Sequence, residues 1–287
     1  MPLAALILTL IAASLHAAYN FLIKSSRDAF AFMWWSVTIG CAVYGAWLLT
    51  TTGIFLAAAS VPFYFISVVA EIGFFVTIVR GYDAGDLSLV YPLSRGAPPI
   101  LVAVWGLFFL NERLPAFGYV GIGLVVIGIF VASLTANGAH NWRDSLRHPA
   151  TLWALASAFF IAIYSQSDKF VLSNGTPSLV YNFWVFAGNA VGWLPIVWTR
   201  ARVAQNFALV REQFARLLFG AIIIVSVYAL ILTALALTSA SYITAGRSSS
   251  VIISALLGTL VLKESFGRAR LIGATMMVCG IALMAIT

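Results

Sequence analysis

Residues 95–128 read RGAPPILVAVWGLFFLNERLPAFGYVGIGLVVIG, and residues 247–280 read RSSSVIISALLGTLVLKESFGRARLIGATMMVCG. Aligned without a gap, the two stretches are identical at several positions that share one offset, and six of these are singled out here. The residues of the first stretch are Arg95, Gly106, Leu110, Glu112, Gly121 and Gly128, and their matches are Arg247, Gly258, Leu262, Glu264, Gly273 and Gly280. One such pair could arise by chance, but six in one register indicate an internal repeat.

The composition around this repeat is typical of a membrane protein. Of the 287 residues, 62% are hydrophobic and 9% are charged, with a mean hydropathy of +1.01. So few charges cannot cover a soluble domain of this length. A transmembrane β-barrel would show short segments of alternating polarity, whereas this chain has long apolar runs. The net charge of +7 does not indicate a nucleic-acid partner, because the basic residues are scattered between these runs.

The apolar runs predict an all-α membrane protein with ten transmembrane helices, since about 20 apolar residues span a bilayer. The predicted spans are 3–24, 29–51, 58–80, 87–110, 115–135, 150–172, 178–199, 217–238, 240–262 and 268–286. We assign 1–135 to a first five-helix repeat, 136–149 to an inter-repeat loop and 150–287 to a second repeat. Because five is odd, the second repeat enters the membrane from the opposite side, which predicts inverted repeats.

Two features of the links between spans add to this prediction. Between residues 200 and 216, apolar residues recur at helical spacing with charged residues between them, which favours a short amphipathic helix at the membrane surface. An ordinary basic loop is the alternative. Most basic residues outside the spans follow the odd-numbered spans, so the charge bias predicts that these loops are cytoplasmic and both termini external.

Short motifs in the first half resemble a known family. Tyr19-Asn20 followed by Lys24, and Asn111-Glu112-Arg113 followed by Gly121 and Gly128, are similar to the EamA-type half of the drug/metabolite transporter superfamily. The resemblance covers nearly the whole chain, and YddG-like amino-acid exporters are similar in size and layout. It implies a multi-pass transporter of small metabolites in the inner cell membrane. Members of this family are usually drawn with cytoplasmic termini, against the charge bias.

Arg95 and Arg247 are the leading candidates for substrate contact. Charged groups inside a span are costly and mark functional sites by default. Gly96, Pro98 and Pro99 follow Arg95, and serines from Ser248 follow Arg247, which predicts kinked or locally opened helices. A guanidinium beside freed backbone groups suits a carboxylate or a phosphate. The alternative is that each arginine pairs internally, for example with Glu71, and only holds the bundle together.

Glu71 is the single acid that the predicted spans place deep in the membrane. It could bind a proton, because a carboxyl in apolar surroundings can load and release protons near neutral pH. The alternative is a static partner for a basic side chain. Asp168-Lys169, predicted at the end of span 6, is interpreted as an interfacial ion pair.

Several polar and aromatic residues complete the candidate site. His16, Asn20 and Lys24 recur at every fourth residue and share one face of span 1, as Asn182 does with Asn189 on span 7. Such faces meet a cavity or a partner helix. An aromatic wall that could accept an apolar group is predicted from Tyr19, Tyr91, Trp105, Tyr164, Tyr228 and Tyr242. The predicted substrate-binding residues are Arg95, Arg247, Tyr91, Tyr242, Ser248, Asn20, Tyr164, Asn182 and Trp105. The predicted coupling or structural ion-pair residues are Glu71, His16 and Lys24.

These observations predict a secondary transporter, most consistent with an exporter of amino acids that works by alternating access. Sugar phosphates, nucleotide sugars or phosphonates are the alternative substrates, and a channel or an intramembrane enzyme is a further alternative. No nucleotide-binding, zinc-protease or serine-hydrolase motif is present in the sequence. We therefore expect no metal, no cofactor and no enzymatic activity. The expected partners are a small-molecule substrate, the lipid bilayer and protons, and we expect a monomer.

Overall fold

The computed structural model describes residues 1–24, 26, 28–84, 87–109, 111–133, 149–195, 197, 203–250 and 268–286. These ranges contain ten α-helices and no β-strand. The helices are α1 (Leu3–Lys24), α2 (Ala29–Thr51), α3 (Val61–Ala84), α4 (Leu87–Phe109), α5 (Ala116–Ser133), α6 (Pro149–Ser173), α7 (Ser178–Gly192), α8 (Val203–Leu237), α9 (Ala240–Arg247) and α10 (Arg268–Ala285). The prediction of an all-helical protein with ten helices is confirmed.

Four of these helices, α2, α3, α6 and α8, are each long and apolar enough to cross a bilayer by themselves. Shorter apolar stretches lie in α1, α4, α5 and α10. On α3 the side chains are distributed as expected for a lipid environment, because apolar residues face outward and polar residues face inward. Phe65 and Val69 are 59% and 65% exposed, whereas Ser67 and Glu71 are buried.

Several helix boundaries differ from the prediction. A short 3₁₀ turn at Ala58–Ser60 precedes α3, which then continues to Ala84, four residues beyond the predicted end of that span. Helix α7 ends at Gly192, well before residue 199. Helix α9 ends at Arg247, and residues 251–267, where we predicted the rest of span 9, lie outside the described residues, as does most of the inter-repeat loop.

The segment predicted as an amphipathic helix is helical and continues into the following span. Helix α8 runs from Val203 to Leu237 with one non-helical residue, Gln213 (φ −122°, ψ 22°). A single residue outside the helical region bends a helix without ending it. The helix prediction for this segment is therefore confirmed, and the alternative of an ordinary loop is wrong for the described part.

The most extensive helix contact joins α5 to α10, the last helices of the two predicted repeats. Their glycines face each other's backbone. A β-carbon added at Gly121 would lie 2.7 Å from the carbonyl oxygen of Gly280, and one added at Gly128 would lie 2.7 Å from that of Gly273. Neither distance leaves room for a side chain. These four glycines, which the internal repeat pairs, therefore serve to pack the two helices, since only glycine permits so close a backbone approach.

Candidate functional site

Arg95 and Arg247 line the same cavity in the middle of the bundle. Helices α4, α6 and α9 meet there and contribute Arg95, Pro98, Ile161, Tyr164, Thr244, Arg247 and Ser248. Its volume is about 20 Å³, which is room for about one water molecule on the scale where one water needs 10–15 Å³. The structure therefore brings together four of the predicted substrate-binding residues (Arg95, Arg247, Tyr164 and Ser248) in one small cavity.

The two prolines of α4 explain how α4 meets α9 at this cavity. Proline has no backbone N–H, so the carbonyl oxygen of Arg95 has no helical donor at Pro99. The hydroxyl of Ser248 instead approaches the Arg95 carbonyl oxygen at 3.5 Å, the long end of the hydrogen-bond range. Helix α4 nevertheless remains continuous from Leu87 to Phe109. The predicted opening of α4 is therefore not a break in the helix. It is limited to single carbonyl groups, such as that of Arg95, that lack their donor within the helix.

At the matching position, the α-helix does end. Arg247 is the last residue of α9, and the N–H groups of Ser248 and Ser249 each bond three residues back, to Ala245 and Gly246. The Arg247 guanidinium donates a hydrogen bond to the Tyr164 side chain on α6. On α4, the Arg95 guanidinium lies 5.9 Å from the centre of the Phe74 ring, within cation–π range. Both arginines are partly exposed.

His16 on α1 lies near this cavity. Its imidazole is within electrostatic range of both Arg95 and Arg247, and its Nδ1 atom is buried without a hydrogen-bond partner in the described part of the chain. The side chains of Asn20, Lys24 and Tyr91 lie outside what the structure describes. The role of these three residues therefore stays a prediction. The charged neighbours of His16 are the two arginines and not an acidic residue.

A second polar cluster lies among α3, α6, α7 and α8. Asp168 is 2% exposed, and its Oδ1 atom accepts hydrogen bonds from the Ser67 hydroxyl at 2.5 Å and from the Tyr181 hydroxyl at 2.7 Å. The Tyr228 hydroxyl lies 3.1 Å from Oδ2 of Asp168 and also hydrogen-bonds Oε1 of Glu71. Two buried carboxyl groups are thus joined through one phenol.

Glu71 has polar neutral partners in place of the arginine considered from the sequence. Besides Tyr228, it accepts a hydrogen bond from the side-chain amide of Asn189 on α7. The prediction that Glu71 is the single deep acid is wrong, because Asp168 on α6 is only 2% exposed and lies inside the bundle. Among the residues that the structure describes, Glu71 makes no direct ion pair with an arginine, so that alternative is not supported there.

The predicted interfacial ion pair between Asp168 and Lys169 is also wrong. Neighbouring residues on a helix point in different directions, and Lys169 donates instead to the carbonyl oxygens of Leu235 and Thr238 at 2.9 and 2.8 Å. These carbonyls end α8, so Lys169 caps its C-terminus. In the loop after α4, Glu112 faces Lys169 and the Ala240 N–H at the start of α9, and burial raises the pKa of Glu112 above its usual value.

Three further residues predicted to bind substrate do not line the cavity. Asn182 is fully buried and donates to the Val225 carbonyl oxygen at 3.2 Å, between α7 and α8. Trp105 packs edge-on against Phe109 and Phe159. The Tyr242 hydroxyl lies against Gly118 of α5. Of the alternatives considered for Asn182, the structure supports hydrogen bonding between helices.

Most contacts of the second cluster were not predicted from the sequence. Asp168 lies four residues after Tyr164 and therefore on the same face of α6, and Ser67 lies four residues before Glu71 on α3. These spacings could have grouped the four residues. The convergence of Tyr181 and Tyr228 on them carries no local signal, because it depends on how α7 and α8 pack against α3 and α6.

The fold has a counterpart among solved structures. A protein of known crystal structure superposes with a TM-score of 0.75 over 98% of both chains, at 17% sequence identity. A likeness at this identity establishes the fold alone. No curated protein matches the sequence. Residues 148–286 match the EamA-like transporter family.

The EamA-like region begins just before α6 and ends just after α10, so it contains Asp168, Tyr228 and Arg247. The second half of the chain is thus similar to a family of transporters. Arg95 lies outside the EamA-like region, at the position that the internal repeat pairs with Arg247. The prediction of a matching first repeat at 1–135 stays a prediction.

Proposed function

We propose that the chain is a secondary transporter of small metabolites that carry a carboxylate, most consistent with an exporter of amino acids. The observation that supports this is the placement of Arg95 and Arg247 on one cavity. Each guanidinium offers several donors in a planar fork that matches a carboxylate. In the described residues, Arg247 bonds a tyrosine and Arg95 stacks near Phe74, so both retain donors for a ligand.

The small volume of the cavity supports alternating access. Room for about one water cannot hold an amino acid, so α4, α6 and α9 must separate before substrate enters. The two arginines belong to helices at matching positions of the internal repeat. A rocking motion of one half against the other would expose them to each side of the membrane in turn. We place this activity in the inner cell membrane and assign it to a monomer.

Two guanidinium groups suit one carboxylate better than the denser charge of a sugar phosphate or nucleotide sugar. The experiment is counterflow in proteoliposomes of the purified full chain, with a panel of labelled amino acids and sugar phosphates. Saturable exchange of an amino acid supports the proposal. Exchange of sugar phosphates alone would replace the substrate class, and flux that neither saturates nor shows counterflow would indicate a channel.

Substitution of the arginines tests the site itself. Arg247→Gln removes charge-assisted hydrogen bonds worth about 1.5–3 kcal/mol, so KM should rise roughly ten- to hundred-fold. Arg247→Lys keeps the charge but not the fork and should recover only part of this loss. Arg113→Gln, in the exposed loop after α4, is the matched control and should leave KM unchanged. Equal KM values for all variants would remove Arg247 from the site.

A further inference from the structure

Glu71 and Asp168 do not line the cavity that contains the two arginines. Glu71 comes from α3 and Asp168 from α6, and both are buried. Between them, the Tyr228 hydroxyl of α8 is in hydrogen-bond contact with Oε1 of Glu71 and lies 3.1 Å from Oδ2 of Asp168. A single phenol oxygen thus faces one oxygen of each carboxyl group.

A count of hydrogens shows that this arrangement is incomplete when both acids are ionised. A tyrosine hydroxyl has one hydrogen to donate, and an ionised carboxylate can only accept. When both acids are ionised, Tyr228 donates its one hydrogen to one of the two carboxylates. Its oxygen then faces an oxygen of the other carboxylate with no hydrogen between them, and these two partially negative oxygens repel each other. One added proton completes the network, because the protonated carboxyl then donates to the Tyr228 oxygen while Tyr228 donates to the other carboxyl.

The remaining oxygens of the pair already have donors. Oε2 of Glu71 accepts from the Asn189 amide, and Oδ1 of Asp168 accepts from the hydroxyls of Ser67 and Tyr181. The added proton therefore belongs on an oxygen that faces Tyr228. A metal ion would need these same oxygens free of hydrogen-bond donors, so the arrangement favours a proton over a metal cation.

The charges around the two acids also favour the binding of one proton. The titratable groups that interact with the pair from the neighbouring helices are Tyr164 on α6, Tyr181 on α7, Tyr228 on α8 and Arg247 on α9. Arg247 is the single cation among these described groups, and its guanidinium bonds Tyr164 rather than a carboxyl. Two buried anions beside one cation leave an excess negative charge in a medium of low dielectric constant, which one proton removes.

We propose that Glu71 and Asp168 bind one exchangeable proton between them, across Tyr228. The site is separate from the substrate cavity and goes beyond the proposed transport of a carboxylate. Tyr164 connects the two, since it lines the cavity, bonds Arg247 and lies one helical turn from Asp168. The bound ligand is a proton, and Tyr228 positions it.

Infrared spectroscopy tests the site without any substrate. Protonated carboxylic acids have a carbonyl stretch that ionised carboxylates lack, and it can be followed in vesicles of the full chain from about pH 5 to about pH 9. Burial also raises the pKa of Glu112, so every spectrum is taken on chains that carry Glu112→Gln, which serve as the parent. The parent should show a buried-acid band that disappears as the pH rises. Glu71→Gln and Asp168→Asn should each abolish it, because in either variant Tyr228 can satisfy the one remaining carboxylate. Asp83→Asn, on the exposed end of α3, should retain it.

Each other outcome has a defined meaning. A band that survives when either carboxyl variant is added to the Glu112→Gln parent would overturn the shared proton, as would the absence of any titrating band in that parent. Loss of the band on replacing choline by sodium at constant pH would reveal a cation site instead. Tyr228→Phe keeps both carboxyls and should shift the band frequency, which preserves the test if a carboxyl variant misfolds. Because no transport is measured, failure here leaves the proposed function untouched.

Discussion

Tyr181 shows at the residue scale how a buried acid is tolerated in this bundle. It is fully buried, and its hydroxyl is one of the donors to Asp168. Tyr181→Phe removes a hydrogen bond to a charged or partly charged group, so the free energy of unfolding should fall by about 1.5–3 kcal/mol. Unfolding in mixed micelles with increasing sodium dodecyl sulfate would measure it.

The matched control is Tyr44→Phe. The Tyr44 hydroxyl donates to the Leu179 carbonyl oxygen at 3.0 Å near the surface of the bundle. An exposed neutral hydrogen bond of this kind contributes about 1 kcal/mol or less. Equal destabilisation by the two variants would contradict a special role for the Asp168 partners.

Single residues were only partly predictable from the sequence. The two arginines could be found because the internal repeat pairs them and charge is rare in a span. Asp168 was misassigned because it stands next to Lys169, and adjacent opposite charges resemble an ion pair. Its true partners, Ser67 and Tyr181, are 101 and 13 residues away. Only the packing of α3 and α7 against α6 reveals them.

At the scale of helices, the contact between α5 and α10 gives a sharp prediction. Gly128→Leu would force a side chain into the carbonyl of Gly273, whereas a β-carbon at Gly123 of the same helix meets no atom within 4 Å. Gly128→Leu should therefore destabilise the protein by about 2 kcal/mol or more, and Gly123→Leu by less than about 1 kcal/mol. Thermal unfolding in detergent compares them. Similar melting temperatures would show that α5 and α10 can separate at no cost.

The junction of α4, α8 and α9 predicts a dependence on pH. Burial raises the pKa of Glu112 in the folded state, so the unfolded state binds fewer protons between the ordinary pKa and the raised one. The stabilising effect of the protonated side chain is present at low pH and is lost as the pH rises through the folded-state pKa. The melting temperature of the wild type minus that of Glu112→Gln should therefore fall as the pH rises from about 4 to about 7.

A flat difference curve for Glu112→Gln would contradict this prediction. It would show that the Lys169 charge and the Ala240 N–H offset the effect of burial on Glu112.

Helices were predicted more reliably than the points where they end. Long apolar runs fix the existence of a membrane helix because the bilayer demands a minimum length. Boundaries depend on polar details that the runs do not contain. Helix α8 includes the amphipathic segment that precedes the predicted span. Helix α9 ends at Arg247 because the following serines form a tighter turn.

For the whole molecule, the main contacts run between the two halves of the chain. The five most extensive pairings among the described helices are α5 with α10, α3 with α6, α4 with α6, α1 with α8 and α2 with α8. Each joins a helix from before residue 134 to one from after residue 148. Residues 1–135 and 150–287 expressed as separate chains should therefore bind each other in the membrane and co-purify. Gly128→Leu in the first fragment should weaken this association, and Gly123→Leu should not.

The same arrangement has a consequence for how the protein is made. Helix α5 ends at Ser133 and its partner α10 begins at Arg268. A ribosome that adds about 5–20 residues per second needs roughly 10 seconds to cover that interval. During that time the glycine face of α5 lies in the membrane without α10 to pack against. Helices α3 and α4 likewise lack their contact with α6 until α6 has been synthesised. The nascent first half is therefore most exposed to membrane proteases and to wrong partners during this interval. It becomes protected only when α10 leaves the ribosome and packs against α5.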